Sequence, residues 1–255
     1  MRSLIKRCVP QAILEPYQMK KYGRFLWMKL QTDGLLGSEL YEAIHRTFLD
    51  DAIGDHDIVE VGGASGSASI AIAWALKERR CKSKLVVIEK FEGGTRAQFG
   101  GYNENYQRFQ EFIKRYGVAD RIILFADYLT TENGQQVVDL VRSDKIGGMM
   151  LDADGHIHRD FAIFWERLAP GAPIVIDDYH PDTSVKHELT YRLLNRFIEW
   201  QLIERREVID DTFFGAKGSA ESIAALDLKE CERITKEVCG RHNVSFDRSG
   251  IVLTA

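Results

Sequence analysis

Short apolar runs alternate with longer amphipathic stretches along this chain. The runs are "DIVEV" (57–61), "KLVVIE" (84–89), "RIILFAD" (121–127), "GGMMLDAD" (147–154) and "APIVIDD" (172–178). Each is continuous and bounded by glycine, proline or charge, as expected for strands buried on both faces of a parallel sheet. Helical spacing fills the gaps. In "NYQRFQEFIKRYG" the residues Tyr106, Phe109, Phe112, Ile113 and Tyr116 share one face, and Gly117 stops the run. "SASIAIAWALKERR" is small and apolar throughout, so it reads as a buried helix, and "RDFAIFWERLAPG" is a third, ending at Pro170–Gly171. The alternation predicts a doubly wound, mostly parallel α/β sheet with helices on both faces.

Helical additions are expected at both ends. Ser38–Leu49 places Leu40, Ile44 and Phe48 on one face, and residues 1–50 read as an N-terminal helical cap on a domain spanning 51–255. Helices are expected at Ser184–Trp200 and Leu228–Arg241, with strand-like "LIERREVID" between them and a last strand in "SGIVLTA". No repeat or linker divides the chain, so a single structural domain is the simplest account.

Composition narrows the classes. The chain has 255 residues, 45% hydrophobic and 28% charged, enough for a full core. A net charge of −4 gives no general attraction to nucleic acid or anionic membranes. Cys8, Cys81, Cys231 and Cys239 are scattered without C-x-x-C spacing, which fits a reducing cytoplasm better than a disulfide scaffold. No signal peptide is read, and no apolar run approaches the ~20 residues of a membrane span. Residues 1–24 carry six Lys/Arg against the single acid Glu15, and read as a solvated helix packed by one face, the alternative being a surface-binding or lid segment.

Candidate chemistry begins after the first strand. Gly62, Gly63 and Gly66 precede a helix, where glycines let a ligand approach the backbone. The order is G-G-x-x-G rather than G-x-G-x-x-G, and Glu60 stands two residues before the first glycine. A carboxylate there opposes a pyrophosphate and suits a ligand with an ammonium or sulfonium charge. Glu89, 27 residues after Gly62, ends the second strand, where an acid can accept from two ribose hydroxyls. Asp127, ending the third, is placed to meet an adenine edge. Three acids at successive strand ends lie where open α/β sheets bind ligands.

"EVGGASGS" resembles motif I of the class I S-adenosylmethionine (SAM)-dependent methyltransferases. "VVIEKFEGG" is similar to a stretch of the macrocin-type, small-molecule O-methyltransferases, with Glu89 standing where those have Asp. "LAPGAPIVIDDYH" resembles their segment ending in Asp-Asp-Tyr. The resemblance implies a Rossmann-like seven-stranded sheet binding SAM through Glu60, Gly62, Gly63, Ser67, Glu89, Phe91, Asp127 and Asp152.

The fourth strand delivers Asp152 and the fifth Asp177 and Asp178. Neighbouring parallel strands end on one edge, so these carboxylates are expected to converge on a hard cation such as Mg²⁺. The metal would hold an acceptor hydroxyl and lower its pKa. The resemblance agrees, but "DADGH" leaves open whether Asp152 or Asp154 faces the metal. His156 is the first candidate base, His158 the second and His180 the third. The Gly-rich segment 92–106 reads equally as a lid or as an ordinary connection.

These expectations add up to a metal-assisted methyltransferase acting on a hydroxyl of a small molecule, a sugar or natural product, without nucleic acid or membrane partners and with a homo-oligomer left open. The alternatives are a metal-independent N- or O-methyltransferase, an NAD-dependent oxidoreductase, and a non-catalytic SAM-binding module.

Overall fold

The computed structural model describes residues 11–92, 101–181, 184–220, 222–247 and 250–253. Three helices open the chain: α1 (Gln11–Tyr22), α2 (Arg24–Thr32) and α3 (Ser38–Phe48). The alternating part follows as β1 (Asp57–Val61), α4 (Ser67–Glu78), β2 (Leu85–Ile88), α5 (Tyr102–Arg115), β3 (Ile122–Phe125), α6 (Gly134–Leu140), β4 (Ile146–Leu151), α7 (Ile157–Phe164) and β5 (Pro173–Ile176). Then come α8 (Val185–Glu199), the antiparallel strands β6 (Ile203–Ile209) and β7 (Thr212–Lys217), α9 (Leu228–Arg241) and a separate hairpin, β8 (Val244–Asp247) with β9 (Gly250–Leu253).

The main sheet has seven strands in the order β3-β2-β1-β4-β5-β7-β6. Strands β1 to β5 are parallel, and β7 pairs antiparallel with β5 and β6. Every residue of β1, β2, β4 and β5 is buried, which explains why these strands read as unbroken apolar runs. Edge strand β6 is different. Its exposed "ERRE" charges the rim and discourages pairing with another chain.

Apolar cores cover both faces. One packs Phe161, Phe164, Trp165, Phe197 and Ile234 from α7 to α9 and the turn after α7. The other packs Phe25, Met28, Ile44 and Phe48 of α2 and α3 with Ile70 and Phe109 of α4 and α5. The N-terminal helices thus share a core with the sheet. Gly148 in β4 makes room for them, since a Cβ there would lie 2.8 Å from the Phe48 ring.

The chain leaves β1 toward β2 and β3 on one side, then returns to β4 and β5 on the other. The crevice at this reversal is where such sheets bind ligands. Among the described residues no helix is long and apolar enough to cross a membrane.

Candidate functional site

The first wall is the turn from β1 into α4. Gly62 has φ 96, and a Cβ on it would lie 2.1 Å from the Asp152 carbonyl oxygen. Only glycine lets this turn pass so close to the exit of β4. Gly66, at φ 89, lies against the Phe109 ring, which a Cβ would approach to 3.1 Å. Its N–H donates to the Gly63 carbonyl at 2.7 Å, closing the turn before α4.

Three residues expected to touch the cofactor, Glu60, Gly63 and Ser67, do not line the cavity; Gly63 is buried against Val87. Glu60 is fully buried beneath the turn and accepts from Ser69 Oγ. Burial pushes its carboxyl up to about 8, with repulsion from Asp152 and Glu89 adding to the rise. It therefore favours the neutral form and does not line the cavity. Ser67 is buried too, its hydroxyl 2.6 Å from Thr32 Oγ1 of α2. It ties the cap to the domain, because the first turn of α4 faces the cap rather than the crevice.

Glu89, at the end of β2, does reach the crevice. Its two carboxylate oxygens accept from the backbone N–H groups of Ala64, at 2.7 Å, and Phe91, at 2.9 Å. One side chain thus fixes both the glycine turn and the exit of β2. Each oxygen keeps acceptor capacity for a ligand hydroxyl. Phe91 adopts φ 56 and packs edge-on against Tyr102, Tyr106 and Phe109. Asn105 donates to its carbonyl at 3.0 Å. Asp127 lines the same cavity after β3.

The second wall is acidic. Asp152, Asp177 and Asp178 each offer an oxygen within 4.8 Å of the others. Asp178 has φ 61, a left-handed backbone that Asp tolerates better than most residues. The corner is pinned by the Tyr179 N–H, which donates to the Asp211 carbonyl at 2.6 Å. Thr212 Oγ1 donates to Asp177. Burial, with repulsion from Asp152 and Asp178, pushes the Asp177 carboxyl up to about 7. A hard-oxygen donor set of this kind fits a divalent cation such as Mg²⁺. The chain supplies a cation of its own: Lys186 Nζ lies 2.8 Å from Asp152 Oδ1 and also pairs with Asp178.

Asp154 is committed to other partners. It accepts from Arg159 Nη1 at 2.8 Å and from the Tyr128 hydroxyl, and takes the His156 N–H at 3.0 Å. Burial works against its charge, but the Arg159 guanidinium outweighs it and holds the carboxyl well below the usual range. Of the two acids the sequence left open, Asp152 is the one beside Asp177 and Asp178.

The candidate bases are placed differently from expectation. His156 is 1% exposed, at the start of α7, with its ring 5.6 Å from that of His158. Burial lowers both imidazoles, His158 to about 4. No described histidine lines the main cavity. The reason is local: Asp154 and Gly155 form a tight turn that directs the chain into α7, carrying His156 inward. His180 lies beside His187, ring centroids 6.5 Å apart.

The walls enclose a cavity of about 600 Å³. Leu35, Leu36 and Leu40 close it from the cap, and Asp210, Asp211 and Thr212 from the β6–β7 turn. The sequence reading missed Lys186, Arg159, the leucine wall and the Asp210–Asp211 turn. Lys186 carried a signal, a lysine in the first turn of the helix that follows the Asp-Asp pair. Of the segment read as a lid, 93–100 lie outside the described residues, and 102–106 form the first turns of α5.

Residues 59–179 match the family described as "Methyltransferase domain". Among curated proteins none matches this chain. Solved structures share the fold at low identity. The cofactor-bound Rv0187 from MTB is 13% identical with a TM-score of 0.57, over 80% of this chain and 95% of that one. The S-adenosylhomocysteine (SAH)-bound methyltransferase PaMTH1 of Podospora anserina is 15% identical, with a TM-score of 0.55 over 83% and 89%. CalS11, a TDP-rhamnose 3′-O-methyltransferase in calicheamicin biosynthesis, is 13% identical, with a TM-score of 0.55 over 83% and 88%.

Proposed function

We propose that this chain, whose residues 59–179 match a methyltransferase domain, is a class I SAM-dependent methyltransferase that moves the methyl group of SAM to a hydroxyl of a small, non-anionic acceptor at a divalent-metal site. One observation carries the reading: the glycine turn held by Glu89 and the Asp152–Asp177–Asp178 cluster face each other across one cavity.

Glu89 and Asp127 would hold the nucleoside part of SAM, Glu89 by accepting from the ribose hydroxyls. The glycine turn leaves room for its backbone-hugging portion. SAM supplies an electrophilic methyl group on a sulfonium centre. Asp152, Asp177 and Asp178 would hold the metal, which when bound supplies Lewis acidity to an acceptor oxygen. The protein's own contribution is chiefly position: it sets the hydroxyl in line with the methyl group and shields it with Leu35, Leu36 and Leu40. Two nearby roles are fixed by hydrogen bonds, Thr212 orienting Asp177 and the Asp211 carbonyl holding the corner at Tyr179.

Charge argues for the acceptor class. Asp210 and Asp211 add carboxylates to the acceptor side of the wall. Of the described cations there, Arg159 and Lys186 are already paired with aspartates, and Lys90 lies over the Tyr128 ring. A phosphorylated acceptor would meet a lining in which carboxylates outnumber cations. This favours a neutral or amino-bearing sugar or natural-product hydroxyl over a nucleotide sugar, the acceptor named for CalS11.

The test is SAH release from SAM over a panel of neutral, amino-bearing and phosphorylated hydroxyl compounds, with Mg²⁺ and with EDTA. The expected result is turnover on a non-anionic member, lost with EDTA and in Asp178→Ala, while SAH still binds that variant by calorimetry. Turnover indifferent to EDTA removes the metal, and turnover confined to phosphorylated compounds removes the acceptor class.

A further inference from the structure

Lys186 stands in the first turn of α8, the helix that follows the Asp177–Asp178 corner. Its ammonium touches Asp152 and Asp178, two of the three carboxylates of the cluster. The other oxygen of Asp178 faces His187 Nε2 at 2.9 Å, and His187 Nδ1 lies 2.5 Å from Ser184 Oγ at the head of the helix. Side chains of α8 therefore reach both oxygens of Asp178.

Three clustered carboxylates repel one another, and one ammonium offsets part of that charge. A Mg²⁺-sized ion bridging them sits about 2.0–2.1 Å from each oxygen. The ammonium holds the ground between Asp152 and Asp178 through which such a bridge would run. Two cations at contact distance repel each other, the more so the less water lies between them. The space and the charge suit one of them at a time.

Resting on the metal reading above, we propose that Lys186 is an intramolecular competitor for the divalent-cation site: its ammonium clamps Asp152 to Asp178 in the absence of metal, and must swing away before an ion can bridge them. The backbone under it is fixed. Gly155 has φ 83, and a Cβ there would lie 3.1 Å from the Lys186 carbonyl oxygen, so α8 is seated tightly on the turn after β4. Release is accordingly a rotation of the flexible lysine stem, not a movement of the helix. The cavity offers the released ammonium other carboxylates, since Asp210 and Asp211 also line it. Metal affinity in this chain is then an exchange of one cation for another, weaker than three free carboxylates would give.

The test is Mn²⁺ binding, followed by the electron paramagnetic resonance signal of the free ion, in wild type, Lys186→Gln, Lys186→Arg and Asp178→Asn. SAH affinity on the same samples reports folding, and Lys186→Met replaces Lys186→Gln if that variant does not fold. The expected result is Mn²⁺ bound about tenfold or more tightly by Lys186→Gln, close to wild type by Lys186→Arg, and lost in Asp178→Asn. Unchanged or weaker binding by Lys186→Gln, with binding still lost in Asp178→Asn, overturns the competition and leaves the metal site standing. No Mn²⁺ binding by wild type or Lys186→Gln removes both.

Discussion

Replacing Glu89 by Gln tests the cofactor wall most sharply, because the structure gives each carboxylate oxygen a backbone task. One accepts from Ala64 N at 2.7 Å and the other from Phe91 N at 2.9 Å. Gln keeps one acceptor oxygen and turns an amide N–H₂ toward the other backbone N–H. One charge-assisted backbone bond is lost, and with it one acceptor for the ribose. A hydrogen bond to a charged group contributes about 1.5–3 kcal/mol, so SAH affinity should fall roughly 10- to 150-fold. The assay is calorimetric titration with SAH and with its 2′-deoxy analogue on both proteins. If Glu89 holds the ribose, removing the hydroxyl should weaken binding to wild type far more than to Glu89→Gln. An affinity for SAH within about twofold of wild type would refute the reasoning. If the variant loses the same factor for both ligands, Glu89 acts only by shaping the glycine turn.

Two further outcomes follow from burial. Gly62→Ala should abolish SAH binding and lower the melting temperature, since its Cβ would lie 2.1 Å from the Asp152 carbonyl in a backbone already at φ 96; SAH calorimetry and a thermal melt check both. Glu60 is buried with its pKa raised from 4.5 to about 8, so the folded state prefers it protonated. Stability from this group is fully present below about pH 4.5 and is lost as pH rises toward 8. Glu60→Gln should flatten that decline, on the order of a few kcal/mol, in denaturant titrations across this range, and an unchanged slope would count against a neutral Glu60.

The sheet was legible because its central strands are buried on both faces, which leaves short continuous apolar runs bounded by glycine, proline or charge. The convergence of Asp152, Asp177 and Asp178 was legible for a related reason: parallel neighbours end on one edge. The histidines were not. Whether His156 faces the crevice depends on how the Asp154–Gly155 turn enters α7, a matter of two or three dihedral angles that residue spacing does not encode. Glu60 misled for the opposite reason. Alternation along β1 points it under the glycine turn, and its charge invited a ligand role that burial denies it. Lys186 and the leucine wall come from segments distant in sequence, so only the folded chain shows that they meet at one cavity. The short helix α6 left no strong periodic signal in seven residues.

The slot at Gly148 bears on the order in which the molecule is made. Phe48 leaves the ribosome early, yet the surface it fits exists only after β4 has been synthesised, a hundred residues later. Until then the apolar faces of α2 and α3, which carry Phe25, Met28, Ile44 and Phe48, lack the part of their cover that β4 and β5 supply through Met150 and Val175. These apolar faces therefore stay partly uncovered during translation, a condition that favours chaperone binding. Since Leu35, Leu36 and Leu40 belong to the same stretch, they can meet the rest of the cavity lining only after β4 and β5 have been made.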